Sequence, residues 1–150
     1  MYKRILVPLD GSALAEKALS HAKITATAFG PSEIDLIFVV QTPDTTMVEE
    51  LGDIDKAYFS QLDKKAEVRG KDYLAKVTQD LKKDGITAQS TVLRGNPAEM
   101  ILDFAKKNAI DLIVMCSHGR SGLSRWAFGS VAEKVLSTST SPVLIVRPEK

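Results

Sequence analysis

Apolar and polar positions along the 150-residue chain switch repeatedly between a short apolar run and a 3.6-residue stripe. Ile5-Leu6-Val7 is a run of β-formers that Pro8 is expected to end. Asp10-Gly11-Ser12 supplies turn chemistry and a helix N-cap at Ser12. Leu14, Ala18, Ala22 and Phe29, with Leu19 and Ala26 beside them, predict a helix from Ala13 to about Ala28, stopped by Gly30-Pro31. Ile34 to Val40 is apolar on both faces apart from Asp35, as suits a strand inside a covered parallel sheet. A loop follows from Gln41, with Thr42-Pro43-Asp44 as turn residues, and Met47 to Lys56 shows no clear period. Phe59, Leu62, Ala66, Tyr73, Val77 and Leu81 predict a long surface helix from about Tyr58 to Lys83. Gly70 interrupts it at a cost of about 1 kcal/mol relative to alanine.

Asp84-Gly85 closes that helix. Ala88 to Leu93 alternates polar with apolar residues, which suits an edge strand. Asn96-Pro97-Ala98-Glu99 is a helix start with Asn at the N-cap and Pro at N1, and Ala98, Ile101, Leu102 and Ala105 carry it to about Asn108. Leu112 to Cys116 is a wholly apolar strand. A polar loop from Ser117 to Phe128 is longer than a strand-to-helix connection needs. Ser130-Val131-Ala132-Glu133 then reads as a capping box with Ser130 at the N-cap, opening a helix whose apolar face is Val131, Val135 and Leu136. Val143 to Val146 is the last strand.

The order β-α-β-α-β-α-β-α-β predicts an α/β domain: a single doubly wound five-stranded parallel sheet, order 3-2-1-4-5, with helices on both faces. No repeat or linker divides residues 1–150, so one domain is expected, and that length suffices for a core. Ligands of such sheets sit beyond the carboxyl ends of strands where the order reverses. The strands ending at Val7 and Cys116 are the most apolar and are placed adjacent at the centre. Pro8 to Ser12 and Ser117 to Ser130 then flank one crevice.

Gly119, Gly122 and Gly129 would let backbone approach an anion closely, and amides at the Gly129-Ser130 helix start suit phosphate. Arg120 and Arg125 are either phosphate contacts or solvated surface. Gly129 and Ser130 also make sense as a plain turn and cap, and Asp10 as a plain turn residue. His118 has no nucleophile at a recognisable spacing and is read as structuring its loop.

Composition narrows the partners. Twenty basic against 19 acidic residues leave a net charge of +1, so no global field points to nucleic acid or an anionic membrane. The lone Cys116 excludes an intrachain disulfide, and no Cys/His cluster has zinc spacing. The apolar run near the N-terminus is too short for a signal peptide or membrane span, so a soluble cytoplasmic protein is expected.

The stretch Ser117-His118-Gly119-Arg120-Ser121-Gly122-Leu123-Ser124-Arg125, with Gly129-Ser130-Val131-Ala132-Glu133-Lys134-Val135-Leu136 and Ser141-Pro142-Val143-Leu144-Ile145-Val146, resembles the universal stress protein family. Ile5 to Ser12 and Gly95-Asn96-Pro97-Ala98 extend the resemblance over essentially the whole chain. The nucleotide-binding branch of that family carries glycine, two residues, glycine, nine residues, then glycine with serine or threonine. Gly119 and Gly129-Ser130 match the later elements, but Cys116 stands where the first glycine is expected. Its side chain either crowds the ligand or leans into the core.

The resemblance implies binding of ATP, ADP or AMP, with Mg²⁺ as an accompanying ion. The implied site is Pro8, Leu9 and Asp10 near ribose and adenine, and Val39 and Val40 at the base. Cys116, Ser117, His118, Gly119, Arg120, Gly122, Gly129, Ser130 and Val131 lie around the phosphates. Asp10 is the implied Mg²⁺ contact. It also implies a homodimer through Val143, Leu144, Ile145 and Val146. No catalytic base is evident, so ATP hydrolysis is expected to be slow at most, in a regulatory stress-response protein. The alternatives are an interaction module of the same fold that binds no nucleotide and, more weakly, an adenine-nucleotide hydrolase. The first βα turn lacks the glycine run that such a hydrolase would need, and the Rossmann fingerprint as well.

Overall fold

The computed structural model describes residues 1–43, 45–118 and 128–147, with Thr45 described by its backbone alone. Gly119, Arg120, Gly122 and Arg125, like Asp44, lie outside the described residues. The strands are β1 (Arg4–Leu9), β2 (Glu33–Val40), β3 (Thr87–Arg94), β4 (Leu112–Cys116) and β5 (Val143–Val146). The helices are α1 (Ala13–Ala28), α2 (Thr45–Glu49), α3 (Asp53–Lys83), α4 (Pro97–Lys107) and α5 (Ser130–Thr138). All strand pairings are parallel and the order is β3-β2-β1-β4-β5, as expected.

Side chains alternate across the sheet to build two cores. Ile5, Val7, Ile34, Leu36, Phe38, Val114 and Cys116 pack under α1 and α3, together with Leu74 and Leu81. Leu6, Ile37, Ile113 and Met115 pack on the other face against Ala98, Ile101 and Ala105 of α4 and Ala132 and Val135 of α5. The stripe of α1 that faces the sheet is Ala15, Ala18, Ala22 and Ala26. Small side chains bring this helix close to the strands, and Phe29, expected in the stripe, is 50% exposed beyond its end.

Three further expectations are corrected. Pro8 does not end β1: the strand runs on to Leu9, with Pro8 opposite Ile37. Pairing with β4 is confined to Ile5 and Leu6, so Pro8 lies past the last rung on that side, where a missing N–H costs least. The ambiguous stretch from Met47 to Lys56 contains α2 and the first turn of α3, which has Asp53 and Asp55 near its positive end. The helix after the long loop takes Gly129, not Ser130, as its N-cap, and a glycine there has no side chain with which to cap it. The proposed box is absent because Ser130 is already helical.

The edge of the sheet near the N-terminus is tied by charge. Arg4 donates to both carboxylate oxygens of buried Asp35, at 3.2 and 2.9 Å, and to the carbonyl of Asn108 at 2.8 Å. The Asp111 carboxylate accepts the backbone N–H groups of Lys3 and Arg4 at 2.8 and 2.9 Å. These bonds lock that end of β1, β2 and β4, and leave the opposite ends of β1 and β4 to diverge.

Candidate functional site

Where β1 and β4 part, a cleft of about 880 Å³ opens at the carboxyl ends of the strands. Its lining contains every described residue of the expected set: Pro8, Leu9, Asp10, Val39, Val40, Cys116, Ser117, His118, Gly129, Ser130 and Val131.

Three helices present their N-terminal ends to this cleft, and they differ in how those ends are satisfied. The Ser12 side chain accepts the amide of Ala15 at the start of α1. Asn96 does the same for Glu99 at the start of α4. Gly129 has no side chain to offer, so the first turn of α5 receives no such cap. The amide of Gly129 itself is bonded to the carbonyl of Ser117 at 2.8 Å. An anion here would therefore be met by the following amides, from Ser130 onward, rather than by that of Gly129. A Cβ at Gly129 would meet the Ser117 carbonyl oxygen at 3.4 Å and the His118 Cα at 3.5 Å, ordinary van der Waals contact, so close approach within the described residues does not by itself require the glycine.

Asp10 folds its own turn: one carboxylate oxygen accepts the amide of Ser12 at 2.9 Å, and Gly11 takes φ +82°. Its carboxylate still borders the cleft. At the end of β2 the carbonyl of Val40 is taken by the amide of Gly95 at 3.0 Å, on the β3 side. Val39, the alternate residue, therefore directs its backbone toward the β1 side, one position past the last β1 rung at Leu9 and Phe38.

Cys116 leans into the core. Its thiol donates to the carbonyl of Leu14 at 2.7 Å, in the first turn of α1, and the residue is 6% exposed. Burial pushes the thiol above its ordinary pKa of 9.0, so it is protonated and unreactive at neutral pH. His118 is held by its neighbour, its Nδ1 lying 2.9 Å from the hydroxyl of buried Ser117. Its Nε2 is buried without a hydrogen-bond partner among the described residues.

The sequence reading did not anticipate the outer wall of the cleft. Phe59, Leu62, Asp63, Ala66 and Arg69 of α3 line it, as do Glu99 of α4 and Lys134 of α5. The available signal is the apolar spacing of Phe59, Leu62 and Ala66, which predicts a surface helix without saying what its stripe faces. Asp63 is paired with Arg94 at 2.9 Å. Among the described residues no group of three or more His, Cys, Asp or Glu could hold a metal ion. A lone Asp10 carboxylate fits only an ion shared with a ligand's own oxygens.

An open parallel sheet wound in both directions from β1 and β4, with a cleft at the reversal, defines a doubly wound α/β fold. Within that class the chain matches the model of the universal stress protein family over residues 1–147 and belongs to that family. It is 35% identical over 150 residues to universal stress protein MJ0531 of Methanocaldococcus jannaschii, covering 100% of this chain and 85% of that protein. It is 32% identical to universal stress protein YxiE of Bacillus subtilis over 98% of this chain and 100% of the relative. The solved structure of MJ0577 superposes with a TM-score of 0.85 at 30% identity, covering 100% of this chain and 99% of that one. The same fold is shared, at 20% and 15% identity and TM-scores of 0.62 and 0.64, with a universal stress protein in complex with cAMP and a family member from Arabidopsis thaliana with AMP bound. These cover 97% and 98% of this chain, and 97% and 92% of theirs.

Proposed function

We propose that the chain binds an adenine nucleotide, ATP or its ADP and AMP relatives, in the cleft between β1 and β4, and that this binding serves a regulatory role in the stress response. The observation that carries the reading is the contrast among the three helix starts. The starts of α1 and α4 are filled by their own N-cap side chains, whereas that of α5 has a glycine N-cap, no side-chain cap among the described residues, and borders the same cleft as Asp10 and the end of β2. Phosphates belong at the α5 amides, ribose beside Pro8, Leu9 and Asp10, and the base at Val39 and Val40. Gly119, Arg120 and Gly122 complete the phosphate loop. The cAMP and AMP complexes of the same fold support the ligand class. When bound, Mg²⁺ would neutralise phosphate charge, with Asp10 as its contact from this chain.

Calorimetry with ATP, ADP and AMP, with and without Mg²⁺, tests the reading; micromolar binding of one of them is expected. An absence of heat and of thermal shift with all three would leave the interaction module without nucleotide as the better account.

The same reading includes one nucleotide-binding domain across residues 1–150, a cytoplasmic location, and a homodimer through β5. Among the described residues no helix is long and apolar enough to cross a membrane. β5 stands at the end of the strand order with Leu144 38% exposed, and an apolar edge strand is a natural pairing surface. Sedimentation should show a dimer that Leu144→Glu shifts toward monomer.

A further inference from the structure

The helix α3 has 31 residues, about 46 Å of length, whereas an eight-residue strand spans about 26 Å. Its buried residues, Gly70, Leu74 and Leu81, all fall in its second half. The first half therefore projects past the part anchored in the core. On one side of it Ile54 and Tyr58 are 86% and 59% exposed, while Phe59, Leu62 and Ala66 face the cleft. Two ion pairs fix this half to the end of β3: Arg94 lies 2.9 Å from Asp63 and 3.7 Å from Glu67.

A flat aromatic base needs an apolar surface against each face and polar groups only at its edge. Pro8 and the end of β2 supply one apolar border of the cleft. We propose that Phe59 and Leu62 of α3 supply the other, forming the outer wall of a compartment for the nucleobase. This rests on the nucleotide reading above and adds to it two binding residues that lie outside the glycine motif. The wall comes from the half of the helix that runs past its buried residues, and Phe59 and Leu62 both line the cleft there.

The test is calorimetric titration of the full chain with ATP, comparing the native protein with Phe59→Ala, Leu62→Ala and the exposed control Ile54→Ala on the same helix. Thermal melts establish that each variant is folded. Phe59→Ala and Leu62→Ala should each weaken ATP binding by about tenfold, with Ile54→Ala at the native affinity. Should Phe59→Ala melt early, Phe59→Leu keeps apolar bulk and should weaken binding by about threefold. Native affinity in the folded Phe59 and Leu62 variants would overturn the wall and leave the nucleotide reading standing. An equal loss in Ile54→Ala would overturn it too, by showing a general disturbance of the helix. A native chain that binds no ATP would remove both.

Discussion

Gly70 of α3 lies directly against the ring of Phe38 on β2: a Cβ at residue 70 would stand 2.7 Å from the ring's Cδ1. The glycine that weakens the helix on propensity grounds is what lets it settle on the sheet. Phe38 is 7% exposed and sits edge-on to Tyr73, with 6.2 Å between centroids, so the ring has little room to yield. Gly70→Ala gains about 1 kcal/mol of helix propensity and incurs an overpacking cost of about 2 kcal/mol. The net expectation is a loss of about 1 kcal/mol in urea denaturation. A more stable variant would mean that the contact relaxes freely.

Cys116 turns its thiol toward Leu14 rather than toward the ligand space. Cys116→Gly should therefore leave nucleotide affinity within about threefold of native, because no obstacle is removed. It should lower stability by about 2 kcal/mol through the lost burial and added backbone freedom. Binding that appears only in the glycine variant would show that the sulfur blocks the cleft.

Ser130 offers a sharper separation of fold from function. It is exposed, at the first position of a helix whose N-cap has no side chain. Ser130→Asp places a negative charge at the positive end of the helix and should raise stability by about 0.5 kcal/mol. The same charge repels phosphate and should reduce ATP affinity at least tenfold by calorimetry. A variant that is stabilised and still binds ATP normally would remove the phosphate from this helix.

Two carboxylates at the N-terminal edge of the sheet give opposite pH dependences. The backbone N–H groups of Arg4 and Lys3 hold the Asp111 carboxyl below its ordinary value of 3.8. Its contribution is full above that value and is lost as pH falls through the lowered folded pKa. Burial raises Asp35 above 3.8 despite Arg4, so its ionisation costs stability as pH rises from 3.8 through the raised folded pKa. Asp111→Ala should cost about 1 kcal/mol at pH 7, and the difference from native should shrink on acidification. Urea titrations between pH 7 and strong acid would read this out. A difference independent of pH would show that the carboxylate charge is irrelevant.

Much of the architecture was legible because apolar runs and helix stripes are themselves the record of what is buried. The order of the strands followed from Ile5-Leu6-Val7 and Leu112 to Cys116 being apolar throughout, and the edge position of β3 from its alternation. The caps at Ser12 and Asn96 were equally readable, since both depend on the residue's own side chain. The start of α3 was not, because its first turns bury nothing and so carry no stripe. Gly129 displaced Ser130 as N-cap through a bond to Ser117, twelve residues away, which no local pattern encodes. The direction of Cys116 depends on which face of β4 α1 covers, and the place of Phe59 and Leu62 at the cleft was hidden because a stripe does not say what it will face.

The bond between the Ser117 carbonyl and the Gly129 amide also separates length from architecture. The chain leaves β4 at Ser117 and returns to α5 at Gly129, two points joined by a 2.8 Å bond. Doubling the length of chain between them would add only about 0.6 kcal/mol of closure entropy. Residues could be inserted or exchanged between those two points over evolutionary time while the sheet kept its register.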